Sequence, residues 1–348
     1  MTQLRIGLLG AARISDLALV APALDAGHRL VAVAARDPER ARKWADERQV
    51  ERVVPSYADL VNDPEVDVVY NPLPNSLHAP WNIAAIEAGK HLLSEKPFAS
   101  NAVEAAIVRD VAAGRDQVVF EGFHYRYHPI FDRLLQVSTD GTIGSLTHLQ
   151  VTMSMPAPAD DDLRWSWPLA GGALMDLGCY TIHVIRSVAE RLGGTPELIA
   201  AGTVERAGRP QIDQSAHLDF LLPGGVPAVA DVSMDGPWEF SIKAVGARGS
   251  ATIGNFVNVH HDDRLTLRTA EGEQVEHFGL RSTYHYQMDA LGAAVIDGQP
   301  FPTGADDAIA NMQMIDACYL AAGLRPRQGG AAPLTGGNEQ RSTAGGTS

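Results

Sequence analysis

A glutamate, a lysine and a proline in succession, Glu95-Lys96-Pro97, close a short apolar run from His91 to Ser94 that begins just after Gly89. The run reads as a buried strand following a helix that ends at the glycine. A charged pair at the carboxyl end of a parallel strand lies where open α/β sheets bind their ligands. Pro97 stops the strand and fixes the chain just past the lysine. A lysine held there can donate hydrogen bonds and set a positive charge beside a reacting oxygen. The plainer alternative is a solvated Glu-Lys pair, since short motif matches are often accidental.

A second group lies in the other half of the chain. A helix is predicted from Asp176 to about Arg191, entered through Gly171-Gly172. Asp176 and Tyr180 are spaced i and i+4, and His183 follows three residues later, so the three share one stripe. Polar groups on a largely apolar helix are costly to bury unless they line a site. For His183 the alternative is a hydrogen-bonded histidine behind the site. Arg164 and Trp165 follow an acidic loop, Pro156 to Asp162, and suit stacking on a sugar ring or covering a cofactor. An apolar plug is the alternative for the tryptophan.

These groups need a scaffold, and the N-terminal half supplies one. Leu4 to Leu9 is an apolar strand, Gly10-Ala11-Ala12-Arg13-Ile14-Ser15 a turn, and the residues to about Asp25 a helix. Strand, turn and helix make the first unit of a dinucleotide-binding fold, whose helix N-terminus favours a pyrophosphate. Against G-x-G-x-x-G, Gly10 holds the first place, Ala12 the second and Ser15 the third, so the match is imperfect. Leu30 to Ala35 is a second strand, apolar throughout as in a doubly covered sheet. Its end lacks the acid that binds the ribose of NAD, and Arg36 stands where a 2′-phosphate would lie. NADP is therefore the expected cofactor; NAD stays possible through Asp37.

Val66 to Tyr70 is a further strand, running into Asn71-Pro72-Leu73-Pro74-Asn75-Ser76-Leu77-His78. Two prolines extend this loop beside the cofactor crevice, where Asn75 and His78 could reach the nicotinamide side. Helix packing is the alternative for His78. Helices over Pro38–Arg48, Ala79–Ala88 and Asn101–Ala113 intervene, the last capped by Ser100 or Asn101. Val118 to Phe120 is the last strand, followed by an aromatic and basic hinge from Glu121 to Pro129 that contains Arg126.

The C-terminal half reads as a helix over Pro129–Val137, a strand over Leu146–Met153, and then strands around Ile199–Arg206, Ala216–Leu222, Ala228–Met234, Phe240–Ala244, Ala251–Ile253, Leu265–Arg268 and Gln274–His277. Turns such as Pro223-Gly224-Gly225 punctuate them. Helices over Tyr284–Asp297 and Ala305–Ala322 close the chain. The expected fold is an α/β Rossmann domain, residues 1–123, followed by an α+β domain with a large, mostly antiparallel open sheet, residues 124–328. The second domain serves substrate binding and oligomerisation, and a Gly-, Ala- and Thr-rich tail, 329–348, is expected to be disordered.

Composition narrows the partners. A length of 348 residues favours two domains. A formal net charge of -14 argues against nucleic acid or an anionic membrane surface. Cys179 and Cys318 have no metal-ligand spacing and form no disulfide framework, so no metal and a reducing, cytoplasmic home are expected. No signal peptide and no membrane-spanning run is read.

Taken together, Gly10-Ala11-Ala12-Arg13-Ile14, then Pro74-Asn75 with His78, then Glu95-Lys96-Pro97, resemble the Gfo/Idh/MocA oxidoreductases. Gly171-Gly172-Ala173-Leu174-Met175-Asp176-Leu177-Gly178-Cys179-Tyr180 resembles that family's catalytic helix. The resemblance covers residues 3 to about 327. Tyr180 and Arg36 bring it nearest the branch with dimeric dihydrodiol dehydrogenase, NADP-dependent D-xylose 1-dehydrogenase and glucose–fructose oxidoreductase. Inositol dehydrogenase-type members carry His in place of Tyr180, and many members carry Gly in place of Ala12.

The resemblance implies an NADP-dependent oxidoreductase acting on a hydroxyl, hemiacetal or carbonyl carbon of a sugar, polyol or related diol, in a homo-oligomer, dimer or tetramer. It implies cofactor contacts from Gly10, Ala11, Ala12, Arg13, Ile14, Arg36, Pro74, Asn75, His78, Glu95, Lys96 and Arg126. It makes Tyr180 the proton donor or acceptor, Lys96 the group that lowers its pKa and binds the reacting oxygen, and Asp176 a substrate-orienting group. Arg164, Trp165 and His183 are candidate substrate contacts. Two alternatives stay open: redox-neutral epimerisation or glycoside processing on bound NADP, and a non-catalytic sensor of NADP.

Overall fold

The structure is a computed structural model and describes residues 3–330. The expected tail therefore lies outside the described residues, apart from Gly329 and Gly330. Strands β1 (Arg5–Leu9), β2 (Arg29–Ala34), β3 (Val68–Asn71), β4 (His91–Ser94) and β5 (Val119–Glu121) pair in parallel in the order β2-β1-β3-β4-β5. Strands β3 and β5 are buried along their whole length, because helices cover both faces. The order reverses between β1 and β3, which puts a ligand crevice at their carboxyl ends. Beyond β2, Val53 makes one parallel bridge to Val33, the remnant of a further edge strand.

Two stretches depart from the regular helices expected. After the first turn, Asp16–Val20 is a wide π-type turn, and only Ala21–Asp25 is an α-helix. Pro22 explains it, since a proline ring clashes with the carbonyl four residues back and supplies no N–H. Leu174–Gly178 is a second π-type turn, leading into the helix Cys179–Arg191. Asp176 thus sits on a widened turn rather than a regular one.

The second sheet runs β13-β12-β11-β10-β6-β9-β8-β7. Its strands are β6 (Leu146–Ser154), β7 (Glu197–Glu205), β8 (Asp213–Leu222), β9 (Val226–Ser233), β10 (Glu239–Gly246), β11 (Gly249–Ile253), β12 (Arg264–Thr269) and β13 (Gly272–His277). All pairs are antiparallel except β6 with β9. Residues alternate as a half-covered sheet requires: β8 buries Ala216, Leu218, Phe220 and Leu222 and turns Ser215, His217 and Asp219 the other way. The buried face packs on the helices Pro129–Val137, Cys179–Arg191 and Ala305–Ala321.

The division near residue 123 separates the two sheets but not the packing. One hydrophobic core runs from Leu9 and Leu92 through Phe123 and Tyr180 to Leu265. On the other face of the first sheet, Ile6, Leu8 and Phe120 pack against Tyr284, Met288 and Leu291 of the helix Thr283–Asp297. The segment after the helix Ala305–Ala321 returns to the turn at Gly171 and Gly172. Arg327, fully buried, pairs with Asp213 and donates from Nε to the Gly171 carbonyl at 2.6 Å. Asp213 accepts in addition from Leu174 N–H at 2.6 Å and from the Tyr319 hydroxyl at 3.0 Å. Gly172, with φ of 127°, is the corner this pair encloses; a Cβ there would collide with both Asp213 and Arg327.

Candidate active site

Lys96 leaves the end of β4 and reaches across to the second domain. Its Nζ donates to the Asp176 carbonyl oxygen at 3.0 Å and lies 3.5 Å from the Asp176 carboxylate. The other carboxylate oxygen accepts from Arg164 Nε at 2.7 Å. Arg164 also pairs with Asp162, which caps its short turn. Burial works against the Lys96 charge, but Asp176, Cys179 and Glu95 outweigh it, so the ammonium is held above its ordinary range. Burial likewise opposes the Asp176 charge, and Lys96 and Arg164 overcome it, holding the carboxyl below its ordinary range. The three charges therefore stay in place at neutral pH.

Tyr180 comes one turn after Asp176 and is 4% exposed. Its ring faces Lys96, with Nζ 4.8 Å from the centroid, and its hydroxyl meets His124 Nε2 at 3.1 Å. Burial first, then Glu95, Cys179 and Asp176, push the phenol well above its ordinary pKa. The Lys96 charge lies against Asp176 and the face of the ring. Tyr180 is a neutral phenol here, the form that gives a proton to a carbonyl oxygen. Thiol chemistry is not offered by Cys179, whose pKa burial pushes up to about 12.

His124 is the site residue that the sequence reading passed over. It lies in the turn His124–Tyr127 after β5, wholly buried, stacked on Tyr284 at 3.8 Å, with Nδ1 at 2.7 Å from Thr283 Oγ1. The only signal was its place in an aromatic and basic hinge. Its partners come from distant parts of the chain.

The first turn fits a dinucleotide phosphate. Gly10 has φ of 92°, and its N–H goes to the Ala34 carbonyl at 2.7 Å. Among the described residues, the N–H groups of Ala12, Arg13 and Ile14 have no acceptor, and Ser15 Oγ is buried without a partner. Unpartnered donors before a helical turn are what a phosphate needs. At the end of β2, Asp37 caps the next helix, one carboxylate oxygen accepting from Glu39 N–H and Arg40 N–H. Arg36 beside it is exposed. Arg40, which the sequence reading did not single out, reaches the Ala11 carbonyl at 3.3 Å from the same side.

Several of the expected contact residues also have partners within the protein. His78 is buried, with its ring nitrogens 2.6 Å from the Pro97 and Leu73 carbonyls, and pins the two loops together. Asn75, just after Pro74, turns its amide to the Ala170 carbonyl at 3.0 Å and ties the loop to the second domain. Glu95 is buried under Lys96 and accepts from the Tyr70 hydroxyl at 2.9 Å. Arg126 pairs with Asp132 at 3.0 Å, over the Phe131 ring. Trp165 is a core residue, 1% exposed, with Nε1 on the Pro158 carbonyl and Arg206 over its ring. His183 lies behind the site, bonded to the Tyr125 hydroxyl at 2.5 Å and Asp307 at 3.1 Å and stacked on Phe123. Neither Trp165 nor His183 can touch a substrate in this arrangement.

Among the described residues no cluster of His, Cys, Asp and Glu could hold a metal ion, and no helix is long and apolar enough to cross a membrane.

Comparison with known proteins gives two family matches: an oxidoreductase family with an NAD-binding Rossmann fold, over residues 4–123, and a GFO/IDH/MocA C-terminal domain, over residues 131–252. The chain is 32% identical over 321 residues to D-xylose 1-dehydrogenase (NADP(+)) 2 of Haloferax volcanii, covering 91% of this chain and 96% of that protein. It is 34% identical over 278 residues to a dTDP-3,4-didehydro-2,6-dideoxy-alpha-D-glucose 3-reductase of Streptomyces antibioticus, covering 76% and 83%. The fold is similar to that of KijD10, a 3-ketoreductase from Actinomadura kijaniata solved with NADP and TDP-benzene. That match has a TM-score of 0.85, 24% identity, and coverage of 93% and 98%.

Proposed function

The chain belongs to the Gfo/Idh/MocA oxidoreductase family, and from that premise we propose that it moves hydride between NADP and the hydroxyl- or carbonyl-bearing carbon of a sugar, polyol or related diol. The observation that carries this is the meeting of Lys96, Asp176 and Tyr180 across the two domains. A nicotinamide cofactor supplies the hydride chemistry when bound. The protein binds, orients and moves the proton.

Lys96 has donors left after its bond to Asp176, and these suit the reacting oxygen, where they stabilise charge that develops there. Tyr180, kept neutral by burial, suits the acid role in reduction and must be the base in oxidation. Asp176, fixed by Lys96 and Arg164, retains lone pairs that can accept from a neighbouring substrate hydroxyl. Arg36 at the end of β2, with Arg40 reaching the first turn at Ala11, supports NADP over NAD. The two relatives above are named for a pentose and a deoxy keto-sugar, which supports a sugar carbon as the reacting centre.

The test is a panel with both cofactors, followed by nicotinamide absorbance. D-xylose, other aldoses, polyols and trans-dihydrodiols are offered with NADP and NAD, and a dTDP-keto-sugar with NADPH. At least one should turn over with NADP(H) preferred. No reaction with any pair overturns the proposal. Conversion of substrate without free NADPH would favour the redox-neutral alternative instead.

A further inference from the structure

Oxidising an alcohol sends the carbon's hydride to the cofactor and leaves the hydroxyl proton for the protein to take. Tyr180 is poorly prepared for that alone, because it is already a neutral phenol. We propose that His124 is the proton partner of Tyr180: its Nε2 holds the phenol's hydrogen, turns a lone pair of the phenol oxygen toward the substrate, and accepts that hydrogen as Tyr180 takes the substrate's. This rests on the reading of Tyr180 as acid and base, and it adds a positioning residue that acts only through Tyr180.

The hydrogen-bond directions carry it. Thr283 has one hydroxyl hydrogen, and the Val257 carbonyl, 3.1 Å away, can only accept. No other donor to that buried carbonyl appears among the described residues, and leaving it bare would cost about 1–3 kcal/mol. Thr283 therefore gives its hydrogen to Val257, and at 2.7 Å from His124 it must accept. That places a hydrogen on His124 Nδ1.

The ring is wholly buried, and what faces it opposes a second proton. Lys96 comes from the end of β4 and His260 from the loop before β12, and both add to the burial that keeps the imidazole neutral. Tyr284 stacks on it as a neutral phenol, and Tyr180 is neutral too. A neutral ring with its hydrogen on Nδ1 offers a lone pair at Nε2, so the 3.1 Å contact runs from the Tyr180 hydroxyl to His124. The order is substrate hydroxyl, Tyr180, His124, Thr283, Val257 carbonyl.

The atoms balance in one step. The substrate carbon loses hydride and its C–O bond becomes C=O. The hydroxyl proton moves to Tyr180 Oη, and the former phenol hydrogen moves to His124 Nε2, giving a neutral phenol and an imidazolium. Loss of hydride makes the hydroxyl proton strongly acidic, which drives the transfer onto a ring that would not otherwise charge. Reduction runs the same atoms backwards.

Two measurements test it. Nitrogen NMR of the NADP-bound protein with labelled histidine, assigned with His124→Gln, should show a neutral His124 with its hydrogen on Nδ1. Tyr180→Phe should move its Nε2 resonance and spare Nδ1. A hydrogen on Nε2, or a charged ring at neutral pH, overturns the proposal whatever the substrate.

The second is D-xylose oxidation with NADP. His124→Gln keeps an acceptor but cannot take a proton, so kcat should fall about tenfold or more with NADPH affinity within about twofold. The rise of kcat with pH should move upward. Thr283→Val, which frees the ring tautomer, should lower kcat less, and in Tyr180→Phe the change His124→Gln should add nothing. Unchanged kcat in His124→Gln, or an equal loss in the Tyr180→Phe background, overturns it. If the unmodified protein does not oxidise D-xylose, that bears on the substrate reading alone, and the NMR result decides the inference.

Discussion

Lys96 Nζ stands over the face of the Tyr180 ring, 4.8 Å from its centroid, while donating to the Asp176 carbonyl. A cation on a ring face is held by the ring quadrupole and leaves the hydroxyl edge free. The two side chains come from different domains, and Lys96 meets both Asp176 and, one turn on, the Tyr180 ring, so they should act as a unit. Tyr180→Phe should lower turnover by roughly 10²–10⁴-fold with cofactor binding intact, the usual worth of a positioned acid or base. Lys96→Met should cost at least as much, since it removes the charge and the donor to the reacting oxygen together. The double variant should be little worse than the worse single one, as groups acting together are not additive. Turnover of all three in both directions at saturating NADP(H) measures this. If Tyr180→Phe keeps most of its activity, Tyr180 is not the acid or base.

Arg36 should set the cofactor. Asp37, the other candidate at this strand end, uses one carboxylate oxygen to cap a helix. The unmodified protein should bind NADPH more tightly than NADH, and Arg36→Ala should lose roughly ten- to a hundredfold of that preference, the worth of a charge-assisted contact. Equal affinities in the unmodified protein, read by fluorescence titration, would count against the assignment. Arg40, on the same side, should retain part of the preference in the single variant.

What was legible in the sequence was whatever local periodicity encodes. The strands of both sheets, the helix Pro129–Val137 and the lysine at the end of β4 follow from alternation, apolar runs and turn residues. The short helix Tyr57–Val61 was missed although Ser56 and Asp59 form a capping pair before it. Its five residues are too few for a period. The widened turns at Asp16–Val20 and Leu174–Gly178 left no pattern to read, because one extra residue per turn shifts the apolar spacing without breaking it.

The site was legible as residue types but not as orientations. Arg164 met Asp176 as a loop arginine might, yet Trp165 beside it points into the core, where Arg206 covers it. Whether an aromatic after a loop faces in or out is decided by partners far along the chain. His183 shares a helix with Tyr180 but is claimed by Tyr125 and Asp307, while His124, from another element, takes the hydroxyl.

The large sheet should join two copies of the chain. Helices cover one face only, and along the edge strand β7 Ile199 and Val204 are exposed at 57% and 59%. Thr203, Val204, His217, Asp231 and Pro237 line an open groove beside them. Exposed apolar groups in one region of an uncovered sheet favour a symmetric pairing of that face with itself. Light scattering at micromolar concentration should give a multiple of the 37.2 kDa chain mass. Ile199→Glu with Val204→Glu should shift it toward the monomer. A monomer mass for the unmodified protein would contradict the pairing.

Asp316 should make stability fall as pH rises through the mildly acid range. It lies on the helix Ala305–Ala321, where one carboxylate oxygen accepts from Ala102 N–H at 2.9 Å and the other is buried without a partner. Burial, only partly offset by that backbone bond, pushes the group up to about 6 from an ordinary value of 3.8. Between those values the folded chain holds a proton that the unfolded chain has lost, so stability declines with rising pH there and is level above. Asp316→Asn keeps an acceptor for Ala102, needs no proton, and replaces the bare oxygen's charge with a neutral amide. It should be neutral near pH 4 and stabilising near neutral pH, with the melting temperature less dependent on pH across about pH 4 to 6. Thermal denaturation of both proteins across that range measures the difference. A variant that melts lower than the parent at neutral pH would show that the carboxylate there is ionised and favourably bonded, and would reverse the sign of the argument.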